Sequence, residues 1–245
     1  MCGIIGSFVY KKSVNHDSVL KKGINLLNHR GPDNEGHNKY ILKDGILDLC
    51  HTRLSIIDLS PLGNQPMQTP DGRYSIIFNG EIYNYIEIRN ELKILGYVFK
   101  TNTDTEVLLY SWIHWNKECF KKILGMFSFV IFDKKTLQLL CARDSFGIKP
   151  FFYIFNDQGF YFSSEIPPLI EILEYKPKLD HNRAIDHLVW GMHDNQKNTF
   201  YKGVKHLAPG HFMTIKLSNN LNPNATKWWD PSISEMKINK NKIKE

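Results

Sequence analysis

The 245 residues are 42% hydrophobic and carry 31 Lys+Arg against 25 Asp+Glu, a net +6 that fits a globular chain with its own core and room for one large or two small domains. The lysines are scattered through turn-like stretches, which argues for a solvated surface and against a nucleic-acid groove; the densest run is Lys237, Lys240, Lys242 and Lys244 in the tail. The longest strongly apolar run, 126–132, falls far short of the ~20 residues that span a bilayer, no signal region opens the chain, and Cys2, Cys50, Cys119 and Cys141 are spaced for neither zinc nor disulfides, so a reducing, cytoplasmic setting is expected.

The chain opens Met1-Cys2-Gly3-Ile4-Ile5-Gly6. With Met1 removed, Cys2 carries a thiol and a free α-amine on one residue, and an amine titrating near ~7.7 to 8.0 can take the thiol proton near neutral pH. Alone, the position fits equally well a small buried residue at the start of a strand.

Leu20, Ile24 and Leu27 predict a helix over 17–28. A short strand over 74–78 ends at Asn79-Gly80, a pair suited to a tight turn. Tyr85, Ile88, Leu92 and Leu95 predict a second helix stopped by Gly96, and Thr103 with Glu106 has the spacing of a capping box opening a third, with Asp104 in its first turn. Segments 126–132 and 137–142, then 151–155 and 160–164, read as two β-hairpins. Ala208-Pro209-Gly210-His211 suits a type II turn. Hairpins interleaved with one-sided helices give an α+β class, without fixing the number of layers. One domain, 1–230, followed by a tail or linker, 231–245, is expected.

Several motifs then recur in a fixed order: MCGIIG, His29-Arg30-Gly31-Pro32-Asp33, His51-Thr52-Arg53-Leu54-Ser55, Gly63-Asn64-Gln65-Pro66-Met67, Phe78-Asn79-Gly80-Glu81-Ile82-Tyr83-Asn84, Thr103-Asp104-Thr105-Glu106, Ala142-Arg143-Asp144-Ser145-Phe146-Gly147-Ile148-Lys149-Pro150 and Ser163-Ser164-Glu165. Together, from Cys2 to about Trp229, they resemble the class II glutamine amidotransferases, most closely the asparagine synthetase type. The resemblance implies an N-terminal nucleophile hydrolase fold, a four-layer αββα sandwich of two antiparallel sheets with Cys2 at the end of a central strand.

It also implies roles. Cys2 would attack the side-chain amide of L-glutamine, while the Asn79 side chain and the Gly80 amide would form the oxyanion hole. Arg53 would clamp the substrate carboxylate, and Glu81 and Asp104 would face its ammonium. In isolation Asn79-Gly80 is a plain turn, Arg53 a surface strand residue and Asp104 a helix-dipole partner. The resemblance gives Arg143-Asp144 and Lys149-Pro150 no catalytic role. One departure is Cys50, where the family has glycine before His51; a buried, inert thiol is expected, with a second thiol near the site as the alternative.

By resemblance the ammonia goes to an ATP-dependent synthetase domain or subunit that would begin about where Lys227-Trp228-Trp229-Asp230-Pro231 stands. ATP and Mg²⁺ belong to that part; no cofactor, metal, nucleic acid or membrane is expected for 1–230, and a homodimer is left open. Aspartate is the expected acceptor, with sugar or other carboxylate amidation as alternatives. Amidases acting on other amides would not need Arg53 with Asp104 and Glu81, and a non-catalytic module would follow if Met1 stays.

Overall fold

A computed structural model of the protein describes residues 1–10, 16–173, 175–192 and 197–231. Apart from Pro231, the expected tail lies outside the described residues. In chain order the elements are β1 (Gly3–Val9), α1 (His16–Asn25), β2 (Asn34–Leu42), β3 (Gly45–Arg53), β4 (Met67–Gln68), β5 (Tyr74–Ile82), α2 (Tyr85–Ile94), α3 (Asp104–Trp115), β6 (Gly125–Asp133), β7 (Gln138–Arg143), β8 (Phe152–Asn156), β9 (Gly159–Ser163), α4 (Ile166–Glu171), α5 (His181–Trp190), β10 (Lys205–His206), β11 (His211–Lys216) and β12 (Asn224–Lys227).

The strands form two six-stranded antiparallel sheets, ordered β10-β8-β9-β1-β3-β2 and β12-β11-β7-β6-β5-β4. Successive side chains on a strand face opposite ways, and here both faces are apolar. Ile4, Phe8, Leu47 and Leu49 of the first sheet meet Ile77, Val130, Phe132, Leu139, Met213 and Ile215 of the second between the sheets. Ile5, Val9 and Cys50 face the other way, onto Leu20, Ile24 and Leu27 of the α1 segment and Leu169 and Ile172 at α4. On the far side Phe78, Ile82, Phe127 and Phe129 pack on Ile88 and Leu92 of α2 and Val107 and Leu108 of α3. Two helix layers therefore enclose two sheets, the four-layer order that the resemblance implies. Each buried Leu, Ile or Phe contributes about 1.5–3 kcal/mol, so three stacked apolar layers hold the sandwich together.

Nucleophile strand β1 is central, paired with β3 on one side and β9 on the other. Gly6 permits the close approach: a Cβ there would sit 2.5 Å from the Phe162 ring and the Asp48 carbonyl oxygen.

Two sequence expectations change. Asn79-Gly80 is no turn: β5 runs through it, with Asn79 opposite Ser128 and Gly80 opposite Phe127 on β6. Glycine is needed for room, because a Cβ at Gly80 would lie 2.3 Å from the Met126 carbonyl oxygen. The capping box at α3 is half formed. Thr103 accepts the Glu106 amide at 3.2 Å, but the Glu106 carboxylate reaches upstream to the amides of Lys100 (2.9 Å) and Thr101 (2.8 Å). Both hairpins form, as β6–β7 and β8–β9, within one residue of each end expected.

Candidate active site

At one end of the sandwich a cavity of about 260 Å³ collects Cys2, Arg53, Asn79, Gly80, Glu81 and Asp104, every site residue that the sequence nominates. Met1, Leu54, Gln65, Thr103 and Lys149 also line it. That volume lies just below the ~300 Å³ at which drug-sized pockets begin, which suits a small metabolite.

Cys2 enters on the end of β1. Its Sγ accepts the Leu54 amide at 3.4 Å, and its carbonyl accepts Arg30 Nε at 2.9 Å. Arg30 is held in turn by Glu165, Nη1 to Oε1 at 2.8 Å, and His29 reaches the same oxygen at 3.0 Å. Burial would raise the Glu165 carboxyl, but these two partners hold it below its usual range. Burial pushes the Cys2 thiol up; the Leu54 amide, the chain's α-amine and Arg53 oppose this, and Asp104 adds to it. The amine belongs to Met1 in this structure, one residue before the thiol.

Asn79 points between the sheets. Its Oδ1 and Nδ2 are both buried without a hydrogen-bond partner among the described residues. A buried amide left so costs about 1–3 kcal/mol, which a ligand in the cavity would recover. Gly80 contributes a second vacant donor, by strand geometry. Phe127 directs its carbonyl to the Asp144 amide at 2.8 Å, on the β7 side, so Gly80 opposite it forms a non-bonded pair and its N–H faces away from β6. The flanking amides on that edge are both taken, Phe78 by Gln65 Oε1 at 2.6 Å and Ile82 by Asp104 Oδ2 at 3.0 Å. Gly80 N–H alone among these three has no acceptor among the described residues.

Arg53 ends β3, and its guanidinium carries five N–H donors. Nη1 gives two to the Ser60 carbonyl and Asn64 Oδ1, both at 2.8 Å, and Nη2 gives one to the Asp58 carbonyl. Nε–H and one Nη2–H remain. Asp104 sits in the first turn of α3, where burial, with Glu81's charge adding to it, lifts its carboxyl to about 6 against the pull of its amide donors.

Sequence reasoning missed two supports, although both lie in the matched motifs. Gln65 is the side chain that caps β5 at Phe78. His51 joins the two sheets, Nε2 to the Phe78 carbonyl at 3.1 Å, and burial holds it neutral by pushing its pKa down to about 4. Cys50 faces the α1 side, fully buried with its thiol pushed well up, away from the cavity.

The family model described as the glutamine amidotransferase domain matches residues 1–229. This chain belongs to that family. The glutamine amidotransferase domain is 37% identical over 219 residues, 88% of the chain, to "Asparagine synthetase [glutamine-hydrolyzing] 1" of Bacillus subtilis, of which that stretch makes 34%. It is 36% identical over 231 residues, 90% of the chain, to a "Putative asparagine synthetase [glutamine-hydrolyzing]" of Mycobacterium tuberculosis, covering 35% of it. The domain thus spans about a third of the length of these curated relatives. Its fold matches the glutamine phosphoribosylpyrophosphate amidotransferase of B. subtilis with TM-score 0.66 at 15% identity, over 93% of this chain and 49% of that one.

Proposed function

We propose that this domain hydrolyses the side-chain amide of L-glutamine to glutamate and ammonia. Once Met1 is removed, the Cys2 amine takes the thiol proton and Sγ attacks the amide carbon. The oxyanion is held by Asn79 Nδ2 and Gly80 N–H, and the proton passes from the amine to the departing ammonia. Water then cleaves the γ-glutamyl thioester. The two free donors of Arg53 meet the substrate carboxylate as a fork, and Asp104 with Glu81 faces the ammonium. One observation supports this above all: the Asn79 side-chain amide, without a partner among the described residues, and the Gly80 N–H, turned away from β6 by the register, share Cys2's cavity, while the flanking Phe78 and Ile82 amides are satisfied. The names of the relatives support delivery of the ammonia to a synthetase that forms asparagine, and the resemblance adds ATP and aspartate as its expected substrates.

Intact-mass analysis combined with a glutaminase assay tests the reading. The expected result is loss of the Met1 mass and glutamate release without ATP. A processed, folded protein that releases none would overturn it.

A further inference from the structure

The run Arg143 to Pro150 follows β7 and has no part in the chemistry above, yet it is built around one residue. Asp144 Oδ2 accepts the Lys149 amide at 2.9 Å, while its Oδ1 accepts those of Phe146 at 3.1 Å and Ile148 at 2.9 Å. Arg143 Nε donates to the Lys149 carbonyl at 2.8 Å and its Nη2 to the Gly147 carbonyl at 2.6 Å. Gly147 sits at φ +68 against that guanidinium, where a Cβ would come within 3.0 Å of the arginine. Both backbone groups of Lys149 are therefore fixed by side chains of its own loop.

The lysine so placed is 6% exposed, and it lines the cavity with Cys2 and Asn79. No acceptor for its Nζ is found among the described residues. A buried cation without a partner is costly unless negative charge arrives beside it. Burial first, then the charge of Arg30, pushes the ammonium below its usual range, while Cys2, Asp144 and Glu81 favour it.

The other charges around the thiol are committed. Arg30, from the turn before β2, is paired with Glu165, and Arg53 of β3, which also favours the thiolate, spends three of its five N–H groups on carbonyl and amide oxygens and keeps two for a substrate carboxylate. Asp104 of α3 and Glu81 of β5 are acidic and the chain's α-amine is to act as the base, while the neighbouring His51 is buried neutral.

We propose that Lys149 is a positioning residue whose ammonium group stabilises the thiolate of Cys2 across the cavity. Its consequence for turnover rests on the glutaminase reading; the ionisation itself does not.

Lys149→Met removes the charge and keeps the backbone bonds, and Lys149→Arg keeps the charge. The rate of alkylation by iodoacetamide is followed from pH 6 to 11, with the label located by peptide mass. Cys50, Cys119 and Cys141 are fully buried, so Cys2 is the thiol that reacts. In Lys149→Met the midpoint should rise by roughly one unit, and alkylation at pH 7 should fall about tenfold. Lys149→Arg should restore both. Glutaminase kcat/KM of Lys149→Met should fall at pH 7 and recover towards pH 9, whereas a purely structural role would lower it equally at every pH.

An unchanged midpoint in Lys149→Met, or an equal shift in both variants, overturns the proposal. Should Lys149→Met not melt cooperatively, the reciprocal measurement decides: the wild-type Lys149 Nζ resonance should follow thiol ionisation and lose that inflection in Cys2→Ala, and its persistence there overturns the proposal. A Lys149-dependent midpoint in a chain without glutaminase activity would instead refute the proposed function alone.

Discussion

Ile82 donates its amide to Asp104 Oδ2 at 3.0 Å, tying the first turn of α3 to the end of β5 two residues beyond Gly80. The carboxylate that would face the substrate ammonium thus also sets the strand carrying the candidate oxyanion donors.

Asp104 titrates near 6 because it is buried, so it is charged at pH 7 and largely neutral at pH 5. A substrate ammonium would favour the charged form, so glutamine binding should release a proton near pH 6, and affinity should weaken about tenfold per unit below that. Calorimetry on Cys2→Ala in buffers of different ionisation enthalpy measures both. A pH-independent affinity from 5 to 7 would remove Asp104 from the ammonium site.

The same shift bears on stability. A carboxyl raised from 3.8 to about 6 on folding stabilises the fold fully below its unfolded value, and that contribution is lost as pH rises through 6. Asp104→Asn keeps a side-chain acceptor for Ile82 and does not titrate. The gap in Tm between wild type and this variant should therefore move in favour of the variant from pH 4 to pH 7, as read by thermal melts.

Asn79→Ala should cost on the order of 10²- to 10³-fold in turnover, the loss typical of one oxyanion donor. Its Tm should not fall, because the amide it removes has no hydrogen bond to lose. A large drop in Tm with unchanged turnover would reverse the assignment.

Cys2→Ala should abolish glutamine hydrolysis with the melting curve retained, since the thiol forms the covalent bond. Cys50→Ala should leave the rate within a few fold, because Cys50 faces α1. Labelling of Cys50 by a glutamine-analogue electrophile would contradict both expectations.

Arg53→Lys keeps the charge and loses the planar fork, so KM for glutamine should rise much more than kcat falls. The segment 58–64 should also become more sensitive to protease, because the Ser60 and Asp58 carbonyls lose their donors. Unchanged KM would place Arg53 in loop support alone.

Periodicity, capping and turn chemistry predicted the helices found at 16–25, 85–94 and 104–115 and the hairpins β6–β7 and β8–β9, because these patterns are local, although the first helix ends three residues short of the expected 28. Motif order determined the family and nominated Cys2, Arg53, Asn79, Gly80, Glu81 and Asp104. Only the tertiary structure decided what those residues face. Gly80 looks like a turn residue in sequence; its N–H is vacant because β6 across from it points its bonds at β7, a relation among three strands. The Glu106 carboxylate abandons its own cap because the Lys100 and Thr101 amides come within reach. Lys149 shows the limit most clearly: the sequence displays the loop, but a buried lysine lining the same cavity as the thiol that precedes β1 exists only once residues almost 150 positions apart are folded together.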